Sequence, residues 1–317
     1  MKAAVATGVE NLNEFLHVQD DWPKPTLATA VDGKTGKLVP KLKDDRHLII
    51  KVLACALAPG DCRLFAGKTD MVQLPKSGRP YVIGSDVCAI VTEVAPDEKH
   101  FEVGDKIIAR FDEPQPHGMC AEYACVKAIF SEKCPASIPA NEACTLPASA
   151  AAARLVAQTL VQPDSRVLLL GASGGLGTFM CQYIKLQGAS YLAATTTQAE
   201  LVKSLGVDRV IDYRIENWWE LELAEFQYQP FDLVVDLVNG QNWQKGGCSG
   251  TKILKGKETT YAQLLCGVET EMDATGLKVI PLMFGMLGRS MSSKLKLSCP
   301  RYTLLKRVQY SARDKLG

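Results

Sequence analysis

Residues 167–178 read Val-Leu-Leu-Leu-Gly-Ala-Ser-Gly-Gly-Leu-Gly-Thr. The apolar run before Gly171 predicts a buried strand, and the residues after Gly177 predict a helix. A glycine-rich turn between a strand and a helix is typical of dinucleotide binding. Gly171 permits a tight exit from the strand, Gly174 lets the backbone approach a diphosphate, and Gly177 allows close packing of the helix on the sheet. The diphosphate would lie against free N–H groups at the positive end of the helix.

Strands and helices alternate on both sides of this turn. An Ala-rich helix is predicted for 146–160, and helices for 178–187 and 198–205 are followed by Gly188 and Gly206, which suit helix ends. The predicted strands lie at 166–170, 191–195, 209–213 and 231–238. Such alternation indicates βαβ units on a doubly wound parallel sheet, which makes the fold class α/β.

The first 140 residues have a different pattern. Strands are predicted at 48–53 and 87–94, with renewed apolar alternation at 101–108 around a Gly-Asp turn, whereas 24–46 is polar and suits a loop or a small hairpin. Many short strands at this spacing indicate a compact, barrel-like β domain. We therefore expect a β-rich domain at 1–140, a parallel-sheet domain at 141–275 and a separate C-terminal segment at 276–317.

Charge and composition exclude several classes of protein. Lys plus Arg number 36 and Asp plus Glu 35, so there is no basic excess of the kind that binds nucleic acid. Basic residues nevertheless dominate 295–317, which suits either a solvated helix face or contact with an anionic surface. The longest uncharged run, 167–184, contains the glycine turn and does not suit a membrane span. We expect a cytoplasmic protein, with organellar location or peripheral membrane association left open.

The chain has eleven cysteines and no Cys-x-x-Cys motif. Their spacing matches no zinc-finger pattern. We expect most of them to be reduced, buried thiols that pack as small hydrophobic side chains, which suits a reducing compartment. The sequence selects none of them for a catalytic role.

The end of the second predicted strand of the parallel sheet indicates which cofactor is bound. NAD sites of this kind usually place an acidic residue there for the ribose hydroxyls. This chain has Ala-Thr-Thr-Thr-Gln at 194–198 and no carboxylate before Glu200. Hydroxyls and an amide can bind a phosphate without repelling it, which favours NADPH. The threonines at 195–197 also suit a simple cap of the next helix.

Several separated motifs occur in the order found in one enzyme family. They are Gly84-Ser-Asp86, Val103-Gly-Asp-Lys106, Ala121-Glu-Tyr123, Leu146-Pro147, the run Gly171–Gly177 and Lys203-Ser-Leu-Gly206, which continues to Ile211-Asp-Tyr213. With these motifs the chain resembles the zinc-independent medium-chain dehydrogenases/reductases of the quinone oxidoreductase and enoyl reductase branch. The resemblance implies a GroES-like catalytic domain and a Rossmann domain with NADPH in the cleft between them. It is compatible with a homodimer.

The resemblance also implies which residues contact the cofactor. The turn residues would face the diphosphate, and others would surround the 2′-phosphate or the ribose. The diphosphate set is Gly171, Ser173, Gly174, Gly175, Leu176 and Gly177; the 2′-phosphate set is Thr195, Thr196, Gln198 and Tyr213; Asn239 would lie near the ribose.

No metal site is expected. Zinc-dependent relatives carry ligands where this chain has Ile-Gly-Ser-Asp at 83–86, and their four-cysteine lobe is absent. Cys55 and Cys62 with His47 could imitate ligands only by composition. Without Lewis-acid polarisation of an alcohol, hydride transfer to an enone, a quinone or a similar activated double bond is the expected reaction.

Three departures from the family concern the chemical half of the protein. Ala58-Pro-Gly-Asp61 replaces the usual Asn-Pro-x-Asp, Ala152 stands where relatives have Thr, and the segment 276–317 is short for a chain that returns to the first domain. The proton donor is unassigned, with Asp61, Tyr81 and Tyr123 as candidates. The alternative function is a catalytically weak, NADPH-binding sensor or interaction protein.

Overall fold

A computed structural model of the chain describes residues 1–8, 11–27, 29–31, 38–40, 47–65, 80–96, 98–111, 118–238, 242–248, 251–264 and 301–305. The described chain separates into two compact units, of which the first is Met1–Ala148 and the second begins at Ser149. The domain limits expected near 140 and 275 remain predictions.

The described part of the first unit is built of antiparallel strands with three short α-helices. The strands are β1 Ala3–Ala6, β2 Leu16–Gln19, β3 Thr29–Val31, β4 Leu38–Pro40, β5 His47–Ala56, β6 Tyr81–Val82, β7 Asp86–Val94, β8 Lys106–Arg110, β9 Tyr123–Lys127 and β10 Ser131–Lys133. The helices are α1 Leu12–Phe15, α2 Pro59–Phe65 and α3 Ala140–Ala143. The sheets have the orders β2-β1-β6 and β10-β8-β7-β5-β9, and β3 pairs with β4 as a hairpin.

The long strand β5 organises the core of this unit. It lies between β7 and β9 and pairs with both in antiparallel register, for example Ile50 with Val91 and with Ala124. Leu48 and Ile50 are fully buried and pack in one cluster with side chains of β7, β8 and β9. The predicted strands 48–53 and 87–94 are therefore confirmed, and the polar stretch 24–46 contains the small hairpin that was one of its two interpretations.

The second unit is a parallel sheet with helices. Its strands are β11 Arg166–Leu170, β12 Tyr191–Thr195, β13 Arg209–Ile211, β14 Leu233–Asp236, β15 Thr260–Leu264 and β16 Arg301–Leu305, in the order β13-β12-β11-β14-β15-β16. Its α-helices are α4 Ala151–Leu160, α5 Gly175–Leu186 and α6 Ala199–Ser204. Short segments of 3-10 or π helix occur in both units, at Ala128–Phe130, Leu146–Ala150, Trp218–Glu220, Leu223–Phe226, Trp243–Cys248 and Gly256–Glu258.

The central strand β11 is covered on both faces. Val167 and Leu169 pack into the cluster that contains α4 and α5, whereas Leu168 and Leu170 pack into the cluster on the other face. All five side chains of β11 are buried, and each apolar one contributes about 1.5–3 kcal/mol by leaving water. This explains why the strand reads as a continuous apolar run, as buried parallel strands do.

The structure corrects three details of the predicted elements. The helix expected to begin at residue 178 begins at Gly175. The N–H groups of a first helical turn have no hydrogen-bond acceptor within the helix, and glycine is tolerated there. The third strand is shorter than expected and ends at Ile211. A solvated helix face is one of the two interpretations of 295–317, but residues 301–305 form a parallel strand beside β15, with Tyr302 opposite Tyr261. The rest of the segment 276–317 lies outside the described residues.

Candidate functional site

The turn after β11 is tied directly to the end of β12. Gly171 has a φ of 88°, a left-handed conformation that glycine adopts without strain. Its N–H donates to Thr195 Oγ1 at 2.9 Å, and the N–H of Ala172 donates to the Thr195 carbonyl at 3.1 Å. The exit of the first strand is thereby held against the carboxyl end of its neighbour.

Two other glycines of the run meet opposite surroundings. A Cβ added to Gly177 would lie 2.3 Å from the carbonyl oxygen of Gly171 and 2.6 Å from backbone atoms of Ala172. At Gly174 an added Cβ would have only the Gly171 oxygen nearby, at 3.8 Å, and the residue is exposed. Gly177 is therefore required for packing, whereas Gly174 leaves open space above the backbone.

The N-terminus of α5 points its backbone donors into this space. Gly174 is the N-cap residue and no side chain of the described part of the molecule caps the helix there. The bond from Thr178 N–H to the Gly174 carbonyl, 2.9 Å long, opens the helical series, so the N–H groups of Gly175, Leu176 and Gly177 precede it. Free N–H groups at the positive end of a twelve-residue helix attract an anion. This cradle fits a diphosphate.

The polar residues after β12 hold the backbone of this edge. Thr195 is 5 % exposed and Thr196 is 1 % exposed. Thr195 Oγ1 accepts the Gly171 N–H, and Thr196 Oγ1 accepts the N–H of Gln198 at 2.9 Å. Gln198 itself is exposed at the start of α6. Contact of these residues with a 2′-phosphate stays a prediction.

A basic residue that sequence reasoning missed lies beside Tyr213. Tyr213 is 62 % exposed, just after β13. The next residue, Arg214, is also largely exposed and makes a two-bond ion pair with Asp212, with Nε and Nη2 donating to the two carboxylate oxygens. Hydrogen bonds from Arg214 lower the pKa of Asp212 to about 2. The adjacency of Arg214 to the Asp-Tyr motif was the signal available in the sequence.

The end of β14 carries a second feature that the sequence did not single out. Asp236 is fully buried and accepts hydrogen bonds from Tyr261 Oη at 2.7 Å and from the Val238 N–H at 3.0 Å. These bonds fix the turn that contains Val238. A Cβ added to Gly171 would lie 2.8 Å from a methyl carbon of Val238. The turn therefore packs against the glycine loop. Asn239, predicted near the ribose, lies outside the described residues.

The three candidate proton donors of the first unit lie in different environments. Tyr81 is 1 % exposed and packs with Ala6 in an apolar cluster. The ring of Tyr123, on β9, has Lys24 Nζ 4.1 Å from its centroid. Asp61 is partly buried on α2, and its Oδ2 accepts the Ala58 N–H at 2.7 Å. Burial raises the pKa of Asp61, so its carboxyl holds a proton more readily than an exposed aspartic acid does.

Asp61 has a second carboxyl group nearby. Asp86 is 3 % exposed at the start of β7 and accepts a hydrogen bond from Ser85 Oγ at 3.3 Å. Burial is the main cause that raises the pKa of Asp86 to about 6; the positive charge of Arg110 opposes this shift, and the negative charge of Asp61 contributes to it. In the sequence, Asp86 stands out only as the last residue of the Gly84-Ser-Asp86 motif. Its buried environment depends on tertiary packing.

No group of three or more His, Cys, Asp or Glu side chains among the described residues is arranged to hold a metal ion. His47 and Cys55, which could imitate zinc ligands by composition, lie near opposite ends of β5. Eight residues of extended chain place them about 26 Å apart. Within the described ranges, no helix has both the length and the apolar character that crossing a bilayer requires.

Comparison with known proteins relates both units to one group of enzymes. Residues 44–148 match the family model of the alcohol dehydrogenase GroES-like domain. The chain is 30 % identical over 264 residues to the mitochondrial NAD(P)H oxidoreductase RTN4IP1 of Bos taurus, covering 76 % of this chain and 63 % of the relative. It is 34 % identical over 210 residues to the chloroplastic NADPH-dependent alkenal/one oxidoreductase of Arabidopsis thaliana, covering 63 % and 52 %. The chain thus spans between half and two thirds of these relatives.

Solved structures show the same fold. The quinone oxidoreductase of Coxiella burnetii superposes with a TM-score of 0.69 at 21 % identity, covering 96 % of this chain and 83 % of that one. A mycobacterial protein solved in complex with NADPH superposes with a TM-score of 0.71 at 19 % identity, covering 97 % and 82 %. At these identities the likeness concerns the fold alone.

Proposed function

We propose that this chain, which belongs to the medium-chain dehydrogenase/reductase superfamily in its quinone oxidoreductase, alkenal reductase and enoyl reductase branch, transfers a hydride from NADPH to an enone, a quinone or a similar activated double bond. The observation that carries the proposal is the uncapped N-terminus of α5 beside the open space at Gly174. Relatives named as an alkenal/one oxidoreductase, a 2-methylene-furan-3-one reductase and a trans-enoyl reductase support the class of substrate.

The second unit provides the residues that would hold NADPH. Backbone N–H groups of Gly175, Leu176 and Gly177 suit the diphosphate, since no side chain is needed where the backbone approaches it. Ser173, in the turn that precedes α5, is proposed to face the diphosphate as well. Binding at the diphosphate fixes the position of the rest of the cofactor, and this positioning lowers the entropic part of the barrier to hydride transfer.

Preference for the phosphorylated cofactor is proposed from charge. Gln198 is exposed at the start of α6 and Tyr213 is exposed after β13, and no carboxylate follows β12 before Glu200. Arg214 adds a cation beside Tyr213, partly neutralised by Asp212. The resulting surface offers hydrogen-bond donors to a 2′-phosphate, and the carboxylate of Asp212 at this surface is already paired with Arg214.

The cofactor, when bound, would supply the hydride, while the chain holds and positions the two reactants and a proton is delivered to the anion that hydride addition forms. Asp61 is the strongest of the three proton-donor candidates, because burial raises its pKa and Asp86 lies close enough to raise the cost of ionising both groups. Water can serve the same role, since a basic carbon or oxygen formed by hydride addition is readily protonated. Asp61→Asn would separate the two sources by its effect on turnover.

The test of the function is NADPH consumption with a panel of 2-alkenals, enones and quinones. Turnover on at least one class is expected. Absence of turnover on every member, with NADPH still bound, would contradict the enzymatic proposal. Two relatives are named as mitochondrial and chloroplastic, and a cytoplasmic location of this chain stays a prediction.

A second candidate function is a catalytically weak sensor or interaction protein that binds NADPH. It is favoured by Ala58, which immediately precedes α2 and contacts Asp61 through backbone N–H and carbonyl hydrogen bonds alone, and by Ala152, which is partly buried in α4. Neither side chain can form a hydrogen bond. Installing Ala58→Asn together with Ala152→Thr distinguishes the two functions. A gain in turnover of tenfold or more supports a degenerate site, and little change supports the reductase as it stands.

A further inference from the structure

Two cysteines that are far apart in the sequence meet in the first unit. Cys55 lies near the end of β5 and Cys120 lies just before β9, and their sulfur atoms are 3.3 Å apart. Both side chains are partly exposed. Of the other cysteines whose exposure is described, Cys88, Cys134, Cys144 and Cys181 are buried, Cys62 is exposed on α2, and Cys125 is partly exposed on β9.

The backbone around the two sulfur atoms is held by hydrogen bonds on both sides. Cys55 pairs with Val87 in the register of β5 and β7. The Cys120 N–H donates to the Ile83 carbonyl at 2.9 Å, and the Cys120 carbonyl accepts the Ala4 N–H at 2.8 Å. The backbone at both cysteines is therefore held by hydrogen bonds, at Cys55 within the sheet and at Cys120 in the bend before β9.

A glycine makes room for the two thiols to meet. Gly84 has a φ of 90°, and a Cβ added there would lie 2.6 Å from Cys55 Sγ and 2.9 Å from Cys120 Sγ. Any larger residue would therefore have to push the sulfur atoms away. The absence of a side chain at Gly84 leaves the pair in contact.

The two thiols are also inequivalent. The hydrogen bond between the two sulfur atoms lowers the pKa of Cys120, although burial acts in the opposite direction. The same hydrogen bond, together with burial, raises the pKa of Cys55. Cys120 is accordingly the thiol that ionises first and Cys55 the one that keeps its proton. A thiolate beside a thiol is the arrangement that reacts with oxidants.

We propose that Cys55 and Cys120 form an oxidation-sensitive pair that a hydroperoxide converts into an intrachain disulfide. The Cys120 thiolate attacks hydrogen peroxide, the O–O bond breaks, and a sulfenic acid and hydroxide form. The Cys55 sulfur then attacks the Cys120 sulfur, so that an S–S bond forms, the S–O bond breaks, and hydroxide leaves. The two hydroxides take up the thiol protons, which gives two waters for two thiols oxidised and one peroxide reduced.

The geometry requires only a small movement. The sulfur atoms must approach from 3.3 Å to about 2.05 Å, the usual length of a disulfide bond. Rotation of the two side chains can supply this approach. The proposal is independent of the proposed reductase activity, since it concerns the thiols alone.

The test treats the reduced full chain with hydrogen peroxide, blocks the remaining thiols by alkylation and maps the peptides without reduction. We expect a Cys55–Cys120 cross-linked peptide, reversed by dithiothreitol, that forms at least tenfold faster than oxidation of Cys62. Cys62→Ser is the matched control and should leave the yield unchanged. Cys55→Ser should abolish the cross-link and leave Cys120 trapped as a dimedone-reactive sulfenic acid.

The wild-type mapping does not depend on how any variant folds. The proposal is overturned if Cys55 and Cys120 remain fully alkylatable after Cys62 has been oxidised, or if their oxidation yields only sulfenic or sulfinic acid. A cross-link from either residue to a different cysteine would overturn it equally.

Discussion

The N–H of Gly171 donates to Thr195 Oγ1 across 2.9 Å, which joins the exit of β11 to the last residue of β12. The two strands pair in parallel, with Leu170 opposite Thr195, so the bond extends their ladder by a side chain. Its effect is to hold the glycine turn against the neighbouring strand, at the edge where the cofactor is proposed to bind. Thr195, which is predicted to contact the 2′-phosphate, therefore also holds the glycine turn in place.

Replacing Thr195 by Val should weaken this junction. The shape is retained, but the partly buried N–H of Gly171 loses its acceptor, which costs about 1–3 kcal/mol of unfolding free energy. Affinity for NADPH and NADH should fall together, because the diphosphate cradle depends on the same turn. Chemical denaturation and titration calorimetry measure the two effects. Thr197→Val, at a more exposed position, serves as the control and should change stability by less than about 0.5 kcal/mol.

Gly174 and Gly177 should respond differently to an added side chain. Gly174→Val should weaken binding of both cofactors at least tenfold, because its side chain would fill the space left for a diphosphate. Its effect on stability should stay at about 1 kcal/mol or less, the penalty for a poorer N-cap. Gly177→Ala should instead lower the unfolding free energy by about 1–3 kcal/mol, since its Cβ meets backbone atoms. Equal stability losses in the two variants would contradict this division of roles.

A carboxylate placed at position 198 should reverse the cofactor preference. Gln198→Glu puts a negative charge on the exposed start of α6, where it would repel a 2′-phosphate and accept hydrogen bonds from ribose hydroxyls. The ratio of the NADH to the NADPH dissociation constant, which we expect to exceed one in the wild type, should fall at least tenfold. Gln198→Ala removes the amide without adding charge and should change the ratio less. Equal wild-type affinities for the two cofactors would count against the proposed 2′-phosphate contacts.

The buried carboxyl of Asp86 should make stability depend on pH. Its pKa in the folded chain is about 6 against an ordinary value of 3.8, so between these values the folded state holds a proton that the unfolded state releases. Stability from this group is present below about pH 4 and is lost as pH rises through 6. Asp86→Asn should therefore gain on the wild type as pH rises, by on the order of 3 kcal/mol at neutral pH. Thermal unfolding at several pH values would show a constant difference if the shift were absent.

Much of the second unit could be predicted from the sequence, because its signals are local. The apolar run at 167–170 and the glycines after it specify a strand, a turn and a helix within a dozen residues, and the structure has all three. Gly188 and Gly206, predicted as helix ends, both have a positive φ. The error at the start of α5 arose because glycine is a poor helix former in general but is tolerated in the first turn.

Features that join distant segments could not be predicted. The bond between Asp236 and Tyr261 depends on the pairing of two parallel strands. The contact of Cys55 with Cys120 depends on the space that Gly84 leaves beside both sulfur atoms. Composition made all cysteines look alike, although Cys55 and Cys120 are partly exposed and have their sulfur atoms 3.3 Å apart. Likewise, the basic character of 295–317 concealed a strand at 301–305, whose partner β15 lies about forty residues earlier in the chain.

The most direct test of the central claim is deuterium transfer from NADPH labelled at C4 of the nicotinamide to an enone. Mass spectrometry of the product reports where the label arrives. The account predicts a saturated ketone that carries deuterium at the carbon β to the carbonyl, and loss of this product in Gly174→Val. An unchanged enone in the presence of bound NADPH, or a product without the label, would contradict it.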